Sequence, residues 1–66
     1  MNNYETLKEL EKQNKEEIIV FDNEGLSYII NSTVKGEVAL FSIEFDDGSH
    51  DKVIDRDSFN RDYIII

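Results

Sequence analysis

The chain contains no cysteine, no proline and no tryptophan, and only three glycines and one histidine. Without cysteine there is neither a disulfide framework nor a thiolate metal site. No unbroken apolar run exceeds four residues, as in Ile18–Phe21 and Tyr63–Ile66, against the roughly 20 that a membrane span requires. No basic stretch leading into an apolar run opens the sequence, so no secretory signal is read. Together with the missing cysteines, this points to a cytoplasmic protein with no membrane partner. Positive charge is also scarce. Seven Lys and Arg face fifteen Asp and Glu, for a net charge of -8. Phosphate contact needs Lys and Arg, so direct binding of DNA or RNA is not expected. At 66 residues the chain has room for a single small domain spanning 1–66. A deep catalytic pocket of several hundred Å³ is not expected at that size.

What is present is a regular pattern of bulky aliphatic and aromatic residues within a hydrophobic content of 39%. Residues 1–17 read as a helix. Asn2 and Glu5 stand at capping-box spacing, and Tyr4, Leu7 and Leu10 form a narrow apolar stripe. Glu11 with Lys15, and Lys12 with Glu16, stand four apart, where they support a helix. From Glu17 the period changes and residues 18–66 read as a β region. Glu17–Asp22 is a strand, followed by a turn at Asp22-Asn23-Glu24-Gly25. Leu26, Tyr28, Ile30 and Val34 alternate with polar residues along a second, half-buried strand, and Lys35-Gly36 makes the next turn. In the third strand, Glu37–Asp46, one face holds Ala39, Phe41, Ile43 and Phe45, and the other Val38, Leu40, Ser42 and Glu44. Asp47-Gly48 is a strong signal for a two-residue hairpin. That register sets Phe41 opposite Ile54, Phe45 opposite His50, and Glu44 opposite Asp51. A fourth strand follows at His50–Asp55. Arg56–Arg61 reads as one helical turn with Phe59 inward, and Tyr63–Ile66 as a closing strand that pairs with the first.

The expected fold is therefore α+β, an N-terminal helix followed by a four- to five-stranded antiparallel meander. Over residues 17–66, the element order and the stretch Ile43-Glu44-Phe45-Asp46-Asp47-Gly48 resemble SH3-like and Tudor-like small barrels. An open sheet with the helix across one face is the alternative. Several strands carry apolar residues on both faces, as in Ile18–Phe21 and Val38–Phe41. A one-sided sheet alternates apolar with polar, so a second face needs cover. The helix, a partner or a second copy in a homodimer are the candidates.

Catalytic chemistry has little to work with. His50 lies between Ser49 and Asp51, and strand neighbours point to opposite faces, so no triad assembles there. Asp46–Asp51 superficially resembles a calcium loop but lacks the alternating ligands and terminal Glu of an EF-hand. The three glycines each serve a turn, leaving no phosphate-binding loop. The expectation is a non-enzymatic chain without catalytic residues, metal or cofactor. Ten of the fifteen acids lie in residues 18–66 against four bases. Glu44, Asp46, Asp47, Asp51, Asp55 and Asp57 are the candidate partner-binding residues, a docking surface for a protein with a basic face. In its sharpest form this is a regulator that imitates the charge of nucleic acid and blocks a nucleic-acid-handling protein. Very small acidic proteins of this kind resemble those encoded by phages and other mobile elements. The alternative is an accessory subunit that assembles through an apolar sheet face or the Ile64–Ile66 edge.

Overall fold

A computed structural model describes residues 2–66. Helix α1 runs Asn3–Lys12. The Asn2 side chain accepts from the Glu5 N–H at 2.9 Å, and the Glu5 carboxylate accepts from the Asn2 N–H. This is the expected capping box, which satisfies two otherwise orphaned donors. The helix is shorter than the expected 1–17. Asn14 takes a left-handed conformation (φ 57°), which Asn tolerates and which ends a helix. Glu11 and Lys12 therefore do not pair with Lys15 and Glu16. They pair within α1 instead, as Lys8–Glu11 at 3.4 Å and Glu9–Lys12 at 3.7 Å.

Four strands follow: β1 Ile19–Asp22, β2 Ser27–Val34, β3 Glu37–Ser42 and β4 Lys52–Asp55. Helix α2, Arg56–Asp62, leads directly into β5, Tyr63–Ile65. All pairings are antiparallel, in the order β4-β3-β2-β1-β5. The closing strand pairs with the first, as expected, with Val20 opposite Ile65 and Phe21 opposite Ile64. The β2–β3 turn is a two-residue connection at Lys35-Gly36, and both residues have positive φ (56° and 82°). That is the geometry a hairpin of this length demands.

The sheet does not close into a barrel: β4 and β5 are its two edges. Helix α2 leaves β4 and enters β5 with no intervening loop. Its seven residues are about 10 Å long at ~1.5 Å each, roughly twice the spacing of paired strands. The helix thus stands between the edges that a barrel would join.

One face of the sheet carries the core. Val20, Tyr28, Val38, Leu40 and Tyr63 project from it and meet Leu7 of α1 and Phe59 of α2, all buried. Phe59 stacks on Tyr63 with ring centroids 5.7 Å apart, and Tyr63 meets Tyr28 edge-on at 5.9 Å. Asn60 Oδ1 accepts from the Tyr4 N–H at 2.7 Å, and the Asn3 amide donates to the Tyr63 carbonyl. These bonds fasten α1 to α2 and β5. Both helices therefore lie on the inner face, and α1 does not cover a second one as the sequence pattern suggested.

Two features of register depart from expectation. A bulge between Ile30 and Ser32 inserts Asn31 and reverses the parity of β2 beyond it. Val34, read as inward, is consequently 58% exposed. The second departure is at Asp47-Gly48, which does not form a two-residue hairpin. β3 ends at Ser42, β4 begins at Lys52, and Leu40 lies opposite Lys52. The register is three residues away from that of a tight hairpin. An odd shift turns a strand over, so Ile54 faces Val38 and not Phe41.

Candidate functional site

The parity of β3 decides which residues are available for function. Val38, Leu40 and Ser42 point into the core. Ala39, Phe41 and Ile43 point the other way, with Phe41 47% exposed. Strand registers assemble the outer surface around them. Ile19, Ile29 and Phe41 form one row across β1, β2 and β3. Ile66 extends that row by donating its N–H to the Ile19 carbonyl at 3.1 Å. Ile64, Phe21 and Ser27 form the row above, which Ile43 continues through its N–H bond to the Ser27 carbonyl. Ala39 and Val53 form the row below. The helices contribute Leu7 and Phe59 to the core on the opposite face, and Phe21, Phe41, Ile43, Val53, Ile64 and Ile66 are all exposed. The two-sided apolar pattern thus reflects an open hydrophobic sheet face. The sequence signalled its existence through doubly apolar strands. The sequence divided β3 into these two faces without deciding between them, and the core takes the one that holds Val38, Leu40 and Ser42.

The connection 43–51 borders this face at one end. It is held by carboxylates that replace strand carbonyls where β3 peels away from the sheet. On the β2 side, the Glu44 carboxylate accepts from the Ser27 N–H at 3.0 and 3.2 Å and from its hydroxyl at 2.8 Å. On the β4 side, Asp51 Oδ1 accepts from the Ser42 N–H at 3.0 Å. Glu44 and Asp51 thus bond to opposite flanks of β3 and do not stand opposite one another as the tight-hairpin register placed them. Inside the loop, Asp47 Oδ1 accepts from the Ser49 N–H at 2.9 Å. The Phe45 ring stacks on His50 at 3.8 Å, a contact the sequence register anticipated for a different reason.

The six acids singled out from the sequence do not form one cluster. Glu44, Asp46, Asp47 and Asp51 lie in the loop, whereas Asp55 and Asp57 lie at the start of α2. Asp51 and Asp55 are four residue steps apart along the strand, about 13 Å at ~3.3 Å each. Asp55 is the N-cap of α2 and accepts from the Ser58 N–H at 2.8 Å. Asp57 sits in the first helical turn beside Arg56, at 4.0 Å. Hydrogen bonds hold three of these carboxyls below their ordinary values. For Glu44 the Ser27 hydroxyl contributes most. Ser49 does the same for Asp47, and Ser58 for Asp55.

A polar group also closes the core at the loop end of the sheet. Burial pushes the Tyr28 hydroxyl up to about 12, and its bond to Asp22 at 3.1 Å adds to the shift. Burial acts to raise the Asp22 carboxyl as well. Bonds from the Leu26 and Glu24 N–H groups and from Tyr28 outweigh it, so Asp22 lies below its ordinary value. Lys52 Nζ stands 5.3 Å from the centre of the Tyr28 ring.

Among the described residues, no group of three or more His, Asp or Glu is placed to hold a metal ion. No helix is long and apolar enough to cross a membrane. An open groove of about 610 Å³ between α1 and α2 is lined mainly by polar and charged side chains, including Lys8, Arg56 and Asn60. Compared with known proteins, the chain matches no family model, no curated protein and no solved structure.

Proposed function

We propose that this chain works as a non-enzymatic protein-binding module whose recognition surface is the outer face of its sheet. One observation carries the reading: Phe21, Phe41, Ile43, Val53, Ile64 and Ile66 share a face that neither helix covers. A small domain gains most by burying its bulky apolar residues, and a contiguous exposed patch of them is characteristic of an interaction site. The face belongs to rigid, hydrogen-bonded strands, so a partner meets it pre-formed and binding orders little additional chain.

The reading in which the carboxylates imitate nucleic acid has less support. Glu44, Asp51 and Asp55 are engaged by the protein's own N–H groups, and the six acids are divided between two ends of the sheet.

Site-specific photo-crosslinking in a lysate of the source cell tests the proposal. A benzophenone side chain at position 41 should capture a discrete protein that the same group at position 12, on α1, does not. Equal capture from both positions, or none from position 41, overturns it.

A further inference from the structure

We infer that the outer face accepts a partner protein whose apolar contact strip is bordered by lysine and arginine, in preference to a second copy of this chain. The inference rests on the proposed use of that face, and it concerns what the occupant must look like.

The area of the face sets one requirement. Six exposed apolar side chains, each 38–73% exposed, present on the order of 600 Å² at up to ~200 Å² per side chain. A stable interface buries about 800 Å² per partner. An occupant must therefore extend beyond the apolar face onto its border.

The charge of that border sets another. At one end stands the 43–51 loop, which holds Glu44, Asp46, Asp47 and Asp51 and no Lys or Arg. At the other end Glu37 lies opposite Asp55 across the β3–β4 pair, two positions beyond Ala39 and Val53 on the same side. Five of the seven bases lie away from this face. Lys8 and Lys12 are on α1 and Arg56 and Arg61 on α2, each paired with an acid. Lys52 sits against the Tyr28 ring on the inner side. Lys35, at the tip of the β2–β3 turn, and Lys15, near Ile19 and Ile66, stand at the corners. Hydrogen bonding of Glu44, Asp47 and Asp55 to N–H groups favours their ionised form. Acids thus border the apolar centre at both of its ends.

A second copy laid on this face brings one acidic border against another. Like charges across an interface select strongly against that pairing, while a basic border is attracted and steered to it. The arrangement joins both sequence-level expectations, the acidic docking surface and the apolar sheet face, in one site.

The experiment is an amide-resolved NMR titration of the intact chain with three short amphipathic helical peptides. They share one leucine pattern, and their polar positions are all lysine, all serine or all glutamate. The lysine peptide should shift the amides of Ile19, Ile29, Phe41 and Val53. Its affinity should exceed that of the serine peptide by about tenfold or more and fall by a similar factor between about 0.05 and 0.5 M salt. The double variant Phe41→Ser, Val53→Ser, checked as folded by its own spectrum, should lose the lysine peptide. If all three peptides bind the outer face equally, the inference fails while the proposed function stands. If sedimentation shows a dimer that the double variant abolishes, the occupant is a second copy and the inference also fails. If the lysine peptide shifts only amides of α1 and α2, both readings fall together.

Discussion

Replacing Val38 and Val53 separately by threonine tests the assignment of inner and outer faces with almost no change in shape. Valine and threonine are nearly isosteric, and both suit a strand. Val38 is fully buried in the core, opposite Ile54, whereas Val53 is 65% exposed and lies opposite Ala39. A hydroxyl introduced at position 38 enters an apolar cluster of Leu7, Val20, Leu40 and Phe59. Burying such a group without a partner costs about 1–3 kcal/mol. At position 53 the hydroxyl remains in water, and the change should stay within ~0.5 kcal/mol. In a domain of this size each kcal/mol moves the melting temperature by about 4–8 °C. Val38→Thr should therefore lower Tm by roughly 4–24 °C, and Val53→Thr by no more than about 4 °C. Thermal melts followed by far-UV circular dichroism, with urea titrations to confirm the free energies, provide the comparison. In the register expected from a tight Asp47-Gly48 hairpin, Val53 lies opposite Ser42 and shares a face with Val38, so the two replacements would have similar effects. Equal losses, or a larger loss at position 53, would refute the face assignment and the functional proposal built on it.

Three further outcomes follow from the core and the loop. Phe59→Ala removes the buried anchor of α2, at about 3–5 kcal/mol against a total of roughly 3–10 kcal/mol for a chain this long. Its melt should lose most of its cooperativity, and a sharp transition at the parent temperature would contradict the packing described. Glu44→Gln weakens the bonds to Ser27 and should speed hydrogen exchange at the Ser27 amide about tenfold while leaving Val20 and Leu40 protected. Unchanged exchange at Ser27 would show that the loop is held by other means. Stability should also depend on pH at both extremes. Glu44, Asp47 and Asp55 are held below their ordinary values of 4.5, 3.8 and 3.8, so their contribution is complete above those values and lost as pH falls through the lower folded ones. Tyr28 is raised from 10.0 to about 12; its contribution is complete below 10 and lost as pH rises toward 12. The urea midpoint should be level near neutrality and fall on either side. A midpoint that climbs steadily on acidification would mean that relief of the net charge outweighs these bonds.

Local chemistry made much of this protein legible in its sequence. The Asn2–Glu5 capping box, the Lys35-Gly36 hairpin, the inward Phe59 of α2 and the pairing of Tyr63–Ile65 with β1 all formed as the residues indicate. Each depends on interactions within a few residues, or on one strongly apolar side chain with a single good place to go. The α+β class and the antiparallel order follow from these pieces and from the short connections between them.

The tertiary structure alone decided which face of β3 is the core. A strand with apolar residues on both sides reads equally well in either orientation, because a shift of one residue exchanges the faces. The choice was made by side chains distant in sequence. Glu44 bonds back to Ser27, and Asp51 bonds to Ser42, so carboxylates take the places of strand carbonyls and open the loop that a tight Asp47-Gly48 turn would have closed. The bulge at Asn31 and the placement of α2 between the two sheet edges are of the same kind. Charge and hydrophobicity could be counted from the sequence. That the acids border an uncovered apolar face at both ends depends on register, and register is a property of strands that meet only in the folded chain.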